Sequence, residues 1–134
     1  MTPAHDLPPS LADIEALALA AIALLPPAFA PAAAEVLLRV EDFPLEDMCD
    51  ELGVDDPYDL TGLYDGIPLT EKSLSDPQSR PDCIWLFRRP ILEEWVERGD
   101  IGLADLVSHV YVHELAHHFG WSDEDIGAID PWWE

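Results

Sequence analysis

Helical spacing of apolar residues predicts a first helix near the amino terminus. The pattern begins at Ser10, and Asp13 follows three residues later, the spacing of a capping box at a helix start. Pro26 and Pro27 end the pattern, because proline has no amide hydrogen with which to continue a helix. The side chains predicted to face the core are Leu11, Ile14, Ala18, Ala21 and Leu25.

Strand-like patterns occupy the middle of the chain. Residues 35–41 follow a Pro/Ala-rich connector and alternate apolar with polar side chains, which predicts a half-buried strand. Residues 62–70 predict a short strand or one arm of a hairpin, and the polar residues 71–82 predict a mobile loop. Residues 83–88 are apolar on both faces and give the strongest strand signal. The first strand is predicted to bury Val36, Leu38 and Val40.

Two further helices are predicted in the carboxy-terminal half. Pro90 starts the first, over residues 91–98, and Gly99 separates it from the second. Residues 101–119 contain no proline, and their apolar side chains repeat at about 100° per residue, the rotation of an α-helix. The predicted inward side chains are Leu92, Trp95 and Val96 in the first helix, and Leu103, Leu106, Val107 and Val110 in the second.

The second of these helices carries a metal-site motif, His113-Glu114-Leu115-Ala116-His117. In this H-E-x-x-H pattern the two histidines lie four residues apart on one helix face, so each can offer a ring nitrogen to the same Zn²⁺. Both continue the apolar stripe, which predicts an inward-facing site. Glu114 would lie beside the ion and take a proton from water that the metal acidifies.

A catalytic zinc needs a third protein ligand, because such sites hold three and leave one position for water. A Glu from a second helix far downstream does not fit, since only 17 residues follow His117 and Pro131 interrupts them. Gly120 and Asp123 match the last two places of H-E-x-x-H-x-x-G-x-x-H, with Asp replacing the third His. A glycine there would let the helix end abruptly, through a residue with positive φ.

Asp123 has an alternative interpretation. Ser122 and Asp125 have the spacing of a capping-box-like pattern that would start a short helix through residue 129. Spacing favours Asp123 as the ligand over a purely capping role, and Asp125 is the next candidate ligand.

Three other residues lie near the predicted site. His118 points about 100° away from His117 on a helix, so it is expected to make a supporting or packing contact rather than join the ion. His109 lies at the border of the inward stripe, where a fringe position is expected. The phenol of Tyr64 is a candidate hydrogen-bond donor to the oxyanion of a tetrahedral intermediate, with a packed aromatic ring as the alternative.

The residues HELAHHFGWSDEDI, positions 113–126, resemble the signature H-E-x-x-H-H-F-G-x-x-D of the small bacterial zincin-like metallopeptidase family, also described as minimal metalloproteases. The resemblance extends upstream to VEDFP at 40–44 and GLYDGIPL at 62–69. It covers roughly residues 10–130, which we take as a single domain between a flexible segment, residues 1–9, and a tail, residues 131–134.

This resemblance implies zinc on His113, His117 and Asp123, with Glu114 as general base and a peptide or protein as substrate. It also implies an α+β fold, a compact minimal zincin-like domain. Its small mixed or antiparallel sheet of about three strands would pack against helices that include the H-E-x-x-H helix.

The charge composition limits the kinds of partner that the chain is expected to bind. The chain has 28 acidic and 6 basic residues and a net charge of −22. This charge repels phosphate backbones and anionic lipid, so neither nucleic-acid nor membrane binding is expected, whereas a cationic peptide would be attracted. The chain is taken as a monomer. Two cysteines, Cys49 and Cys83, suggest free thiols rather than a disulfide framework.

Residues 16–30 resemble the apolar region and cleavage site of a signal peptide, but the charges argue against one. No Lys or Arg precedes Arg39, and Asp6, Asp13 and Glu15 lie where a basic region should be. The apolar run is also too short to span a bilayer. A cytoplasmic protein is therefore expected.

Two classes of function remain open at this point. The first is a zinc-dependent peptidase, and the second is a non-catalytic metal-binding or interaction domain that retains the site. The completeness of the motif favours the peptidase.

Overall fold

The computed structural model describes residues 8–69 and 81–120. Within these ranges the chain forms five α-helices, three strands and one 3₁₀ turn. In chain order these are α1 (Leu11–Ala23), α2 (Ala30–Glu35), β1 (Leu37–Glu41), α3 (Glu46–Leu52), the 3₁₀ turn (Pro57–Asp59), β2 (Gly62–Asp65), β3 (Cys83–Phe87), α4 (Arg88–Arg98) and α5 (Leu103–His118). The α+β fold predicted from the sequence is confirmed.

The three strands form one mixed sheet in the order β1-β3-β2. β1 pairs with β3 in parallel, and β2 pairs with β3 antiparallel. β3 is therefore the central strand, and β1 and β2 are the two edges. The predicted sheet size is confirmed, and within residues 8–69 and 81–120 β2 pairs with β3 alone.

Successive side chains of β3 point to opposite faces of the sheet and contribute to two apolar layers. Ile84 and Leu86 lie in the main core with the buried faces of α1 and α5, while Trp85 and Phe87 pack on the opposite face of the sheet. All five residues of β3 are buried, as the apolar pattern on both faces predicted. The second layer also contains Cys83, Met48, Leu60 and Leu63.

Helix α1 begins at the capping box that the sequence predicts. The Asp13 amide donates to Ser10 Oγ at 3.1 Å, and the Ser10 amide donates to Asp13 Oδ2 at 2.8 Å. Ile14, Ala18 and Ala21 are buried, so the inward stripe is confirmed at its centre. The small alanines allow α1 to pack closely on α5.

Three local predictions are wrong. The Pro/Ala-rich connector contains α2, and Leu11 of α1 and Val96 of α4 are 38% and 74% exposed although their spacing predicted inward positions. Helix α4 begins at Arg88 directly after β3, two residues before Pro90, so the sheet sets its rotation. Ile91, which is fully buried, faces the core as a result, and Val96 points outward.

Both cysteines are free, as predicted, and both are buried. Cys49 lies in α3 and Cys83 starts β3. Among residues 8–69 and 81–120, no helix has the length and apolar character needed to cross a bilayer.

Leu86→Ala should lower the free energy of unfolding by about 2–5 kcal/mol, because it removes a fully buried side chain from the central strand. Val96→Ala is the matched control and should change it by less than about 0.5 kcal/mol, because that side chain is mostly in solvent. Urea denaturation followed by circular dichroism measures both. Equal losses would contradict the assignment of Leu86 to the core.

Candidate metal centre

Helix α5 supports the site along most of its length. It runs from Leu103 to His118 without proline or glycine, and its buried residues recur every three or four positions, as on one face of a helix. Phe119 caps the helix, and the Gly120 amide donates to the carbonyl of His117 at 2.9 Å. Gly120 has φ of 86°, so the predicted sharp bend after the second histidine is confirmed at the glycine.

The faces of α5 have different surroundings. The buried face packs in the main core and consists of Leu106, Val107, Val110, Tyr111, Leu115, Ala116 and His118. His113, Glu114 and His117 are half-buried beside that face. They therefore lie at the rim of the core, where a side chain can contact both protein and solvent.

The paired histidines of the motif lie side by side on α5. The ring centroids of His113 and His117 are 5.1 Å apart with an interplanar angle of 78°. The His109 ring lies 6.3 Å from the His113 ring, one turn earlier on the helix. His109 is half-buried, in agreement with the fringe position predicted for it.

Strand β2 packs closely against helix α5 at Gly62, next to Glu114. A Cβ atom added at Gly62 would lie 2.7 Å from Val110 Cγ1 and 3.3 Å from Glu114 Cγ. Only a residue without a side chain fits this contact between β2 and α5. The sequence pattern predicts Gly62 only as the boundary of a strand and does not reveal its packing role, because the helix that requires it lies far along the chain.

A cavity of about 280 Å³ opens beside this contact. Its walls come from the 3₁₀ turn, the start of β2, α4 and α5. On α4, Arg98 Nε donates to Glu94 Oε2 at 3.0 Å. The lining residues are Asp59, Leu60, Thr61, Gly62, Glu94, Arg98, His109, Val110, His113 and Glu114. The motif glutamate and the first motif histidine therefore face a cleft large enough to admit a side chain and water.

A second polar cluster, which we call the buried triad, consists of Tyr64, Asp82 and His118. Tyr64 Oη lies 2.8 Å from His118 Nδ1, and Asp82 Oδ2 lies 3.6 Å from the same nitrogen. His118 is 1% exposed and Asp82 is 8% exposed. His118 makes a buried contact, in agreement with the supporting or packing contact predicted for it, whereas Asp82 lay at the end of a predicted loop and was not singled out.

The turn after β2 closes over the buried triad. Tyr64 Oη donates to the carbonyl of Ile67 at 3.1 Å, and the Ile67 amide donates to Asp82 Oδ1 at 3.0 Å. A Cβ atom at Gly66 would lie 2.4 Å from Asp82 Oδ1, so glycine is required there. Burial, followed by the nearby Asp82 carboxylate, raises the pKa of Tyr64 well above its usual value. The phenol therefore keeps its proton at neutral pH.

The chemistry of the paired imidazoles fits zinc. Both offer ring nitrogens from one helix face, and a glycine with positive φ follows them at the end of the helix. Over residues 8–69 and 81–120, no group of three or more His, Cys, Asp or Glu side chains could hold a metal ion. Asp123, the predicted third ligand, and its alternatives Asp125 and the Ser122 cap lie outside the described residues. The last residue of the predicted strand, Thr70, and residues 71–80 of the predicted loop also lie outside them.

An α+β domain whose metal-site helix pairs two histidines around a glutamate has the features of the zincin class. A family model described as zincin-like metallopeptidase matches residues 33–133. Because the match covers well over half of the sequence, the chain belongs to the zincin-like metallopeptidase family. The match begins later than residue 10 and reaches into the predicted tail. No curated protein was found to match the chain.

Gly120→Ala should destabilise the zinc-free protein by about 1–2 kcal/mol, because alanine is strained at the φ of 86° that the bend adopts. Gly120→Asn should destabilise the zinc-free protein by less, since asparagine adopts this left-handed conformation more readily than alanine. Chemical denaturation of both variants in the presence of a chelator measures the difference. A fully stable Gly120→Ala protein would show that the bend does not need a glycine.

Proposed function

We propose that this chain is a zinc-dependent peptidase in which Glu114 acts as general base. Membership of the metallopeptidase family supports a hydrolase that acts on peptide bonds. The observation that carries the proposal is the position of Glu114, which lines the cleft beside β2 and directly follows one of two paired imidazoles. A carboxylate placed in this way would reach both water in the cleft and an ion held by the two imidazoles.

His113 and His117 would hold the ion from α5, and Asp123 would complete the protein ligands after the bend at Gly120. Bound zinc would supply Lewis acidity, which lowers the pKa of water and polarises a carbonyl group. The bend supports this ligand set because a straight continuation of α5 would carry residue 123 along the helix axis, away from His113.

Glu114 would perform the proton transfers of hydrolysis. Its carboxylate accepts a proton from the attacking water as the oxygen bonds to the scissile carbonyl carbon. The protonated carboxyl then donates that proton to the departing amine nitrogen as the C–N bond breaks. One peptide bond and one water are consumed, and one carboxyl group and one amine are released, with Glu114 returned to its original state.

The outer edge of β2 would give the substrate a place to bind. Among the residues that the structure describes, β2 pairs with β3 alone, which would leave its outer amides and carbonyls to an extended peptide. Gly62, the first residue of β2, contacts Glu114, so a peptide paired along β2 would pass the general base. The net charge of −22 would favour a cationic segment in that position.

Other features stay predictions from the sequence. These are Tyr64 as a donor to the oxyanion, cytoplasmic location, a monomeric state and the absence of nucleic-acid binding. The alternative function, a non-catalytic metal-binding or interaction domain, would keep the same ligands but perform no hydrolysis.

Glu114→Gln should retain about one zinc per chain and lose about 10²–10⁴-fold in the rate of peptide cleavage, because the amide cannot accept the proton of water. Metal analysis and cleavage of unfolded casein or a degenerate peptide library measure the two properties. Zinc bound to both proteins without cleavage by the unmodified chain would favour the non-catalytic domain.

Asp123→Ala should lose most of its zinc, whereas Asp125→Ala should keep it, because the spacing after Gly120 assigns the third ligand to residue 123. The two variants remove the same charge, so they form a matched pair. Competition with a zinc-binding dye gives both affinities. The reverse order would transfer the ligand role to Asp125.

A further inference from the structure

We propose that Tyr64, Asp82 and His118 are positioning residues for the zinc site. Their buried contacts hold the last turn of α5 in one rotation, so that His117 and the bend at Gly120 are directed toward the same ion. This inference rests on the zinc site proposed above and adds residues that neither bind the metal nor touch the substrate. It gives Tyr64 a positioning role in place of the contact with the oxyanion that the sequence predicted.

The first step concerns adjacent side chains on α5. His118 directly follows His117, so their directions differ by about 100° around the helix axis. His118 is almost completely buried and lies 2.8 Å from Tyr64 Oη. A rotation of the last turn that displaced His117 would also break this contact, so the position of one ring fixes the direction of the other.

The second step concerns the support behind that contact. Tyr64 lies within β2, and Asp82 directly precedes β3. The carbonyl of Asp82 also accepts a hydrogen bond from the Leu37 amide at the start of β1, at 2.9 Å. The end of α5 is therefore tied to a point where all three strands meet, which is a more rigid support than a single loop.

The third step concerns the polar character of the buried triad. Apolar side chains of similar volume would fill this space without the cost of burying a carboxylate and an imidazole. Hydrogen bonds differ from apolar contacts because they also fix direction, and a satisfied buried network selects one arrangement of its elements. The phenolic oxygen of Tyr64 lies within hydrogen-bond distance of both the Ile67 carbonyl and His118 Nδ1, so polar contacts fix the phenol from two directions.

Packing around the helix end agrees with this role. The Phe119 ring lies 5.8 Å from the His118 ring and 5.3 Å from the Phe29 ring, with edge-on geometry in both pairs. The residue that caps α5 is thus held between the segment before α2 and the buried triad. The chain leaves this clamp at Gly120, so the direction in which it departs toward residue 123 depends on how the clamp is oriented.

Tyr64→Phe tests the inference by deleting one oxygen atom. Tyr111→Phe is the matched control: Tyr111 also contacts the core, is 1% exposed, and its hydroxyl has no hydrogen-bond partner among the described residues. We expect Tyr64→Phe to weaken zinc binding by about tenfold, the lower end of the effect of residues that orient metal ligands. Tyr111→Phe should bind zinc as the unmodified chain does, because removing an unsatisfied buried hydroxyl is close to neutral.

Zinc dissociation constants are measured by dye competition at a temperature where the zinc-free forms of all three proteins are fully folded by circular dichroism. A role limited to stability would lower the melting temperature of Tyr64→Phe and leave its zinc affinity unchanged, which would overturn the inference. Equal weakening by both variants would also overturn it, because the effect would then be a general response of the core.

Kinetic measurements distinguish the positioning role of Tyr64 from a direct contact with the oxyanion. If Tyr64 served the oxyanion, Tyr64→Phe would lower kcat at saturating zinc without changing the zinc dissociation constant, and the positioning role would be wrong. Failure of the unmodified chain to bind zinc would refute the proposed function together with this inference. Zinc binding by the unmodified chain and both variants with equal affinity would refute the inference alone.

Discussion

The contact between β2 and α5 at Gly62 is the constraint on which the rest of the site depends. A side chain at this position would overlap Val110 of the helix, so the absence of one lets the sheet edge reach the turn that carries Glu114. The same helix fills the main core, to which Val110 itself belongs. One element thus contributes much of the apolar packing and also presents the ionisable groups, and the two tasks are compatible because the ionisable groups lie at the rim of its buried face.

Two consecutive histidines illustrate how strongly position on that circumference determines chemistry. His117 is half-buried at the rim beside His113, whereas His118 is almost completely enclosed against Tyr64. A histidine at the rim is in contact with solvent and can bind a metal ion. The ring of an enclosed histidine is already in contact with neighbouring side chains. Family membership in the zincin-like metallopeptidases gives the rim pair its expected task. The contacts of His118 suggest that it helps to position the two rim histidines without binding the metal.

Much of this arrangement could be predicted from the sequence because it depends on local patterns. The capping box at Ser10, the apolar character of β3 and the bend at Gly120 are all encoded within a few residues of where they act. Contacts between distant segments could not be predicted in this way. Nothing near Gly62 or Asp82 in the sequence reveals the helix that each one meets, and Val96 was placed wrongly because the rotation of α4 is set by the strand before it.

The central claim is that the two rim imidazoles and a carboxylate after the glycine bend share one zinc ion. Anomalous diffraction at the zinc absorption edge, from crystals of the zinc-loaded protein, tests it most directly. The account predicts one strong peak at about 2.0–2.1 Å from a ring nitrogen of His113 and of His117, with an oxygen of Asp123 as the third protein ligand. A peak on other side chains, or a carboxylate of residue 123 that points away from both rings, would contradict it.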